Sequence, residues 1–192
     1  MYHLKILFLG YDENNTSLIH FLKDEGHIVV HQENKIELSY TKDFDFIISF
    51  GYQYIITNDI VLYFGKKIIN LHISYLPYGR GSHPVFWSFI ENSPKGVTIH
   101  VIDKGVDTGH ILIQKHVKYK KNEDTFRKTH ERCLIEVENL FKDNHNDILN
   151  HKIEPKKHVG LGSYHRTKEL PPNIDWDMKI SNYLMLIPKQ LK

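Results

Sequence analysis

The sequence predicts an α/β protein with a mostly parallel sheet and helices on both faces. Three observations carry this. Four short runs in the first half are apolar throughout rather than alternating, as strands covered on both faces must be. Segments of helical period lie between them. Glycine and asparagine punctuate the boundaries.

Residues 5–9 (KILFL) read as the first buried strand, ending at Gly10. Asn14 or Asn15 can cap a helix through about Lys23, with Leu18, Ile19, Phe21 and Leu22 on one side, and Gly26 ends it. Residues 28–30 form a second strand and 44–50 (FDFIISF) a third, with Gly51 immediately after. Thr57 or Asn58 caps a short helix through Tyr63, and 68–71 (IINL) is the fourth strand. Strands and helices alternating in this way give a parallel, doubly covered sheet, Rossmann-like in outline.

The middle differs in character. Residues 72–84 (HISYLPYGRGSHP) form a loop rich in Gly, Pro, Ser and His. A helix follows from about Pro84 to Glu91, with proline in its favoured first turn. Residues 96–102 (GVTIHVI) alternate, 103–109 (DKGVDTG) are a turn cluster, and 111–116 are the next strand. Antiparallel pairing of the two strands puts the Asp-rich turn at their hairpin-like end. A long helix from Glu123 to about Phe141 presents Phe126, Leu134, Val137, Leu140 and Phe141 on one face. From Asn144 the chain is polar and broken by Pro155, Pro171, Pro172 and Pro188. Residues 1–143 are therefore expected as a core, and 144–192 as an extension packing on it or at a dimer interface. The apolar run 182–188 (NYLMLIP) suits either.

A chain of 192 residues can bury about 70% of its unfolded surface, so it needs no disulfide or metal staple. Its 25 Lys and Arg against 23 Asp and Glu give a net charge of +2, without the basic excess of a nucleic-acid binder. One cysteine, Cys133, excludes an internal disulfide, suits a reducing compartment and reads as a small core residue. The apolar run near the N-terminus is too short for a signal peptide, and no stretch approaches the roughly 18 residues of a membrane span. A soluble cytoplasmic protein is expected. The 14 histidines are attributed to codon bias together with the many Asn, Lys, Ile and Tyr.

Several chemistries are excluded. The first loop, GYDENN, lacks G-x-G-x-x-G, which argues against a dinucleotide dehydrogenase, and no P-loop exists. There is no G-x-S-x-G elbow, no H-E-x-x-H and no cysteine pair. His145, His151, His158 and His165 lack the register of a zinc pair and are expected to be solvated, so no metal is expected.

Two constellations remain. Asn70 and His72 lie two apart at the C-terminal end of a parallel strand, where open α/β sheets bind ligands, and face one side. Asn offers a neutral donor for a developing oxyanion, and an imidazole handles protons near neutrality. The same pair also serves, in many proteins, only to bond a loop backbone. The second is Asp103-x-x-x-Asp107-x-Gly109, where glycines let a carboxylate turn inwards toward His72. A plain surface turn is the alternative there. A calcium loop lacks its third-position ligand and distant Glu.

Residues 68–114 resemble the core of the folate-dependent formyltransferases, in five ordered motifs: N-x-H at 70–72, S-x-L-P at 74–77, the glycine-rich loop at 79–81, G-V-T-x-H at 96–100 and D-x-G-x-I at 107–111. The resemblance implies that Asn70, His72 and Asp107 are catalytic and that N10-formyltetrahydrofolate is the formyl donor. An amine attacks the formyl carbon, Asn70 and His72 stabilise the oxyanion, and Asp107 holds His72 and accepts the amine proton. The pterin is expected against Phe50, Gly51, Tyr52 and Ile55, and near Asp103. The loop PYGRGSHPVFWSF and the segment GSYHRTKEL at 162–170 are most similar to the sugar-nucleotide branch. The expected acceptor is thus the amino group of a nucleotide-linked aminodeoxysugar, such as a dTDP-linked amino-dideoxyhexose. Tyr75, Tyr78, Arg80, His83, Phe86 and Trp87 are expected on the acceptor side, core packing being the alternative for Phe86 and Trp87, and Phe89 is expected in the core. Tyr164, His165 and Arg166 are expected to close over the acceptor or form a dimer contact, a homodimer being implied by the resemblance alone. Other amines (glycinamide ribonucleotide, methionyl-tRNA), transfer to water and a non-catalytic member of the fold are the alternatives. The roughly 50 residues after the last core helix are too few for the C-terminal barrel of the tRNA branch.

Overall fold

The computed structural model describes residues 3–120, 122 and 124–187. In chain order its first half holds β1 (Lys5–Gly10), α1 (Leu18–Asp24), β2 (Ile28–Gln32), α2 (Leu38–Thr41), β3 (Phe46–Phe50), α3 (Asn58–Phe64) and β4 (Ile68–His72). Then come β5 (Arg80–Gly81), α4 (Pro84–Ile90), β6 (Gly96–Val101), β7 (Ile111–His116), α5 (Phe126–Leu149), β8 (Tyr164–His165) and α6 (Ile180–Leu186). The main sheet runs β2-β1-β3-β4-β6-β7. Its first four strands are parallel, β6 joins antiparallel to β4, and β7 antiparallel to β6.

The parity of the strands explains their composition. Ile6 and Phe8, Phe46 and Ile48, and Ile69 and Leu71 point into one core, shared with residues of α1, α4 and α5. Leu7, Leu9, Ile47 and Ile68 point into a second, with Ile36 and with Ile60 and Phe64 of α3. Because both faces are dry, the interior of these runs is apolar, with the small Ser49 of β3 as a buried exception. Polar side chains appear where β4 reaches the sheet edge, at Asn70 and His72.

Several boundaries differ from expectation. α1 begins at Leu18, after Ser17, because Asp12 takes the N–H groups of Asn14 and Asn15 into a turn of its own. β3 starts at Phe46, since the N–H of Phe44 is spent closing a turn on Thr41 O. The four-residue α2 is too short for periodicity to reveal. In α5 Thr125 is the N-cap, its hydroxyl accepting from Lys128 N–H, and the expected start at Glu123 lies outside the described residues. The helix continues past 143 to Leu149, because His145, Ile148 and Leu149 are buried.

The tail packs on the α4/α5 side. Phe126 is buried among Phe86, Phe89, Trp176 and Tyr183, ring centroids 5.1–6.2 Å away, and Ile180 is fully buried. Within the apolar run, Tyr183, Leu184 and Ile187 pack on this core while Met185 and Leu186 face outwards, and Pro188 lies outside the described residues. Among the described residues no helix is long and apolar enough to cross a membrane. Phe126→Ala should therefore cost about 3–5 kcal/mol in denaturant unfolding. A loss below about 1 kcal/mol would show that the tail does not seat on this ring.

Candidate active site

The site is built where the sheet changes direction. Asn70 and His72 project to one side from the end of β4, and antiparallel pairing sets His100 of β6 opposite Asn70. The turn between β6 and β7 brings in Asp107, whose backbone adopts a left-handed φ of 51°. Asn70 Nδ2 lies 3.3 Å from Asp107 Oδ1 and 3.3 Å from His100 Nε2. His100 Nε2 is 3.5 Å from Asp107 Oδ1, and His72 Nε2 is 3.8 Å from Asp107 Oδ2. The loop after β4 closes the cluster: Gly81 N–H donates to Asp107 Oδ2 at 2.8 Å, and Gly79 O accepts from His72 Nε2 at 2.9 Å.

These contacts fix protonation. His72 donates from Nε2 to a carbonyl, so in the neutral ring Nδ1 is the atom free to take a proton. His100 Nδ1 lies 2.9 Å from Val101 O and must donate there, so Nε2 receives from Asn70 in the neutral ring and donates to Asp107 only as imidazolium. Burial by itself raises the Asp107 pKa, but the two imidazoles and the Gly81 N–H outweigh it and hold the carboxyl well below the usual range. Asp107 is thus an anion lying within 3.8 Å of both imidazoles.

A cleft of about 830 Å³ opens over this cluster. Asn70, His72, His100 and Asp107 form its floor, and Phe50, Gly51, Tyr52, Ile55 and Asp103 all lie in its wall. Tyr54 and Ile55, 47% and 73% exposed, and Val106, 37% exposed, also line it and give its wall exposed apolar surface. Among the described residues no group of three His, Cys, Asp or Glu is placed to hold a metal ion.

The residues expected on the acceptor side are placed differently. Only His83 lines the cleft. Tyr75 instead stacks on His116, with centroids 3.9 Å apart, and Tyr78 stands on the loop outside the cleft wall. Arg80 lies against Ser163 O, and Trp87 is buried under the His165 ring, 3.9 Å away and nearly parallel. Trp87 and Phe86 are buried on α4, the tail residue His165 covering Trp87 where β8 pairs with β5, whereas Tyr78 stays exposed. Tyr164, His165, Arg166 and Thr167 line the cleft in their place. Of the four tail histidines expected to be solvated, His151 is exposed, whereas the other three are held by the fold. His145 bonds Lys142 O and lies 3.3 Å from Glu25, His158 bonds Gly109 O, and His165 sits between Glu91 and Glu169. Sequence reasoning quoted His100 only within its motif. The pairing register that sets it opposite Asn70 is what gives it a place in the site.

The lowered Asp107 pKa makes stability acid-sensitive. A depressed carboxyl contributes stability above its unfolded pKa, near 3.9, and loses it as pH falls through the folded value. The stability gap between the wild type and Asp107→Asn, measured by urea unfolding, should be widest above about pH 4 and shrink below it. A gap independent of pH between 2 and 6 would contradict the assignment.

Residues 29–141 match the model of the formyl transferase family. A methionyl-tRNA formyltransferase from Thermodesulfovibrio yellowstonii is 31% identical over 135 residues, 69% of this chain but 44% of its own length. The chain thus spans under half of that curated relative. The crystal structure of the formyltransferase PseJ from Anoxybacillus kamchatkensis, in complex with UDP-4,6-dideoxy-4-formamido-L-AltNAc and tetrahydrofolate, superposes with a TM-score of 0.86 at 42% identity, covering 92% of this chain and 96% of that one. The N-formyltransferase of Helicobacter canadensis, with folinic acid and dTDP-3-aminofucose, gives 0.74 at 25% identity over 90% of this chain and 74% of its own. On the family match and the placement of its motifs around one cleft, the chain belongs to the formyl transferase family.

Proposed function

We propose that this protein transfers a formyl group from N10-formyltetrahydrofolate to the amino group of a nucleotide-linked aminodeoxysugar, with a UDP-linked 4-amino-4,6-dideoxyhexose as the first candidate. The observation that carries this is the similarity to PseJ over nearly the whole of both chains, in a molecule whose Asn70, His72 and Asp107 meet on the floor of one cleft. The dTDP-linked acceptor of the Helicobacter canadensis relative keeps the wider nucleotide-sugar class in view.

The cleft suits the donor. Exposed apolar surface at Ile55 and Val106 suits a bicyclic ring, and the glycine-containing segment beside Phe50 offers backbone groups for its polar edge. The donor supplies a formyl group activated on nitrogen. The chain's own residues do the rest. Asn70 Nδ2–H, now 3.3 Å from both its neighbours, is a neutral donor able to turn to the formyl oxygen as charge develops there. His72 takes up the proton that the attacking amine loses, at Nδ1, while its Nε2–H stays on Gly79 O, and that proton passes to the donor nitrogen as its bond to the formyl carbon breaks and tetrahydrofolate leaves. Asp107, too weak a base to keep that proton, stabilises the imidazolium through space.

Release of tetrahydrofolate, followed with UDP-, dTDP- and GDP-aminosugars, glycinamide ribonucleotide and methionyl-tRNA, tests the acceptor. Turnover with a nucleotide-aminosugar alone supports the proposal, and turnover only with methionyl-tRNA or glycinamide ribonucleotide overturns it. Within the working assay, Asn70→Ala should lower kcat about 10²–10³-fold. His72→Asn and Asp107→Asn should abolish transfer while far-UV circular dichroism stays unchanged. Near-normal turnover in any of the three would remove that residue from the mechanism.

A further inference from the structure

The two backbone groups that hold His72 and Asp107 belong to residues 79–81, and what holds those residues lies more than 50 positions beyond Asp107 in the chain. Gly79 N–H donates to Ser163 Oγ at 2.9 Å, Arg80 N–H to Ser163 O at 3.0 Å, and Ser82 N–H to His165 O at 2.9 Å. Ser163 Oγ–H in turn donates to Glu91 Oε2 at 2.7 Å, and His165 Nε2 meets Glu91 Oε1 at 2.5 Å. Trp87 stacks flat on the His165 ring. Glu91, at the end of α4, thus uses both carboxylate oxygens to fix one short tail strand. The approach is so close that a Cβ on Gly81 would run into His165 O, and one on Gly162 into Pro77 O.

We propose that Glu91, Ser163 and His165 are positioning residues for the reaction: they clamp residues 79–81 so that Gly79 O fixes the His72 tautomer and Gly81 N–H aims the Asp107 carboxylate. Glu91 and Ser163 stand outside the cleft wall, so they act only through the loop. Without the clamp Gly79 O drifts from Nε2, the neutral His72 ring samples both tautomers, and the fraction with Nδ1 free to take a proton falls. Binding surfaces built from Phe50 to Ile55 are untouched. The clamp therefore shows in kcat rather than in KM for the donor.

This rests on the roles given to His72 and Asp107 above, so the test has a readout independent of turnover. The side-chain nitrogen-15 resonances of His72, assigned by their loss in His72→Asn, report its tautomer directly. In the wild type at pH 8 they should show the Nε2–H form. In Glu91→Ala, and in Ser163→Ala should the first variant fail to fold, they should move toward a mixture of tautomers. In the same variants kcat should fall roughly 10- to 100-fold, the scale of a misplacement of about an ångström, with KM for the donor within about 2-fold. Glu91→Gln, which keeps one acceptor oxygen, should lie between. An unchanged His72 tautomer, or a loss confined to KM, would overturn the clamp. A shifted tautomer with no change in turnover would leave the clamp's geometry standing and overturn its catalytic role.

Discussion

A carboxylate taken out of water needs polar partners on several sides, and at Asp107 they come from two antiparallel strands and a loop. Asn70 comes from β4, His100 from β6, and the Gly81 N–H from the loop that follows β4. Each is an ordinary group. His72, His100 and the Gly81 N–H keep the buried carboxyl ionised against its own desolvation. That fixed charge stands 3.8 Å from His72, and the proposed proton transfer depends on this pairing.

The change of strand direction at β4/β6 is what allows the assembly. In a wholly parallel sheet a neighbour of β4 would arrive by a crossover helix, with its own C-terminal end at the same edge. Here β6 runs the other way, so its C-terminal residues His100 and Val101 lie beside Ile69 and Asn70, and the turn into β7 carries Asp107 to the same spot. The tail then supplies what the sheet does not. Through β8 it presses the glycine-rich loop onto the floor and adds Tyr164 to Thr167 to the wall.

The parts of this molecule that were legible in the sequence are those governed by local pattern. Runs such as KILFL and IINL announce strands dry on both sides, and the two-residue spacing of Asn70 and His72 gives their shared direction without any knowledge of the fold. Asp107 was reachable through its glycine-flanked turn. The rest depends on distant pairing. His100 enters the site only through the register of β6 on β4, which alternation within residues 96–102 leaves open. Tyr75, in a loop that looks ligand-facing, and Trp87, in the helix after it, pack against His116 and His165 instead. Histidines in a polar tail read as solvated because a short stretch such as GSYHRTKEL carries no periodicity, yet His165 is placed by Glu91 and Trp87.

The most direct measurement of the central claim is a crystal structure of the protein with a formyl-bearing folate and the aminosugar nucleotide it accepts. The formyl oxygen is expected within about 2.7–3.1 Å of Asn70 Nδ2, with the pterin between the Phe50–Ile55 wall and Val106, and the sugar amine on the His72 and Asp107 side of the formyl carbon. A folate bound elsewhere, or a formyl group beyond hydrogen-bond reach of both Asn70 and His72, would contradict the account.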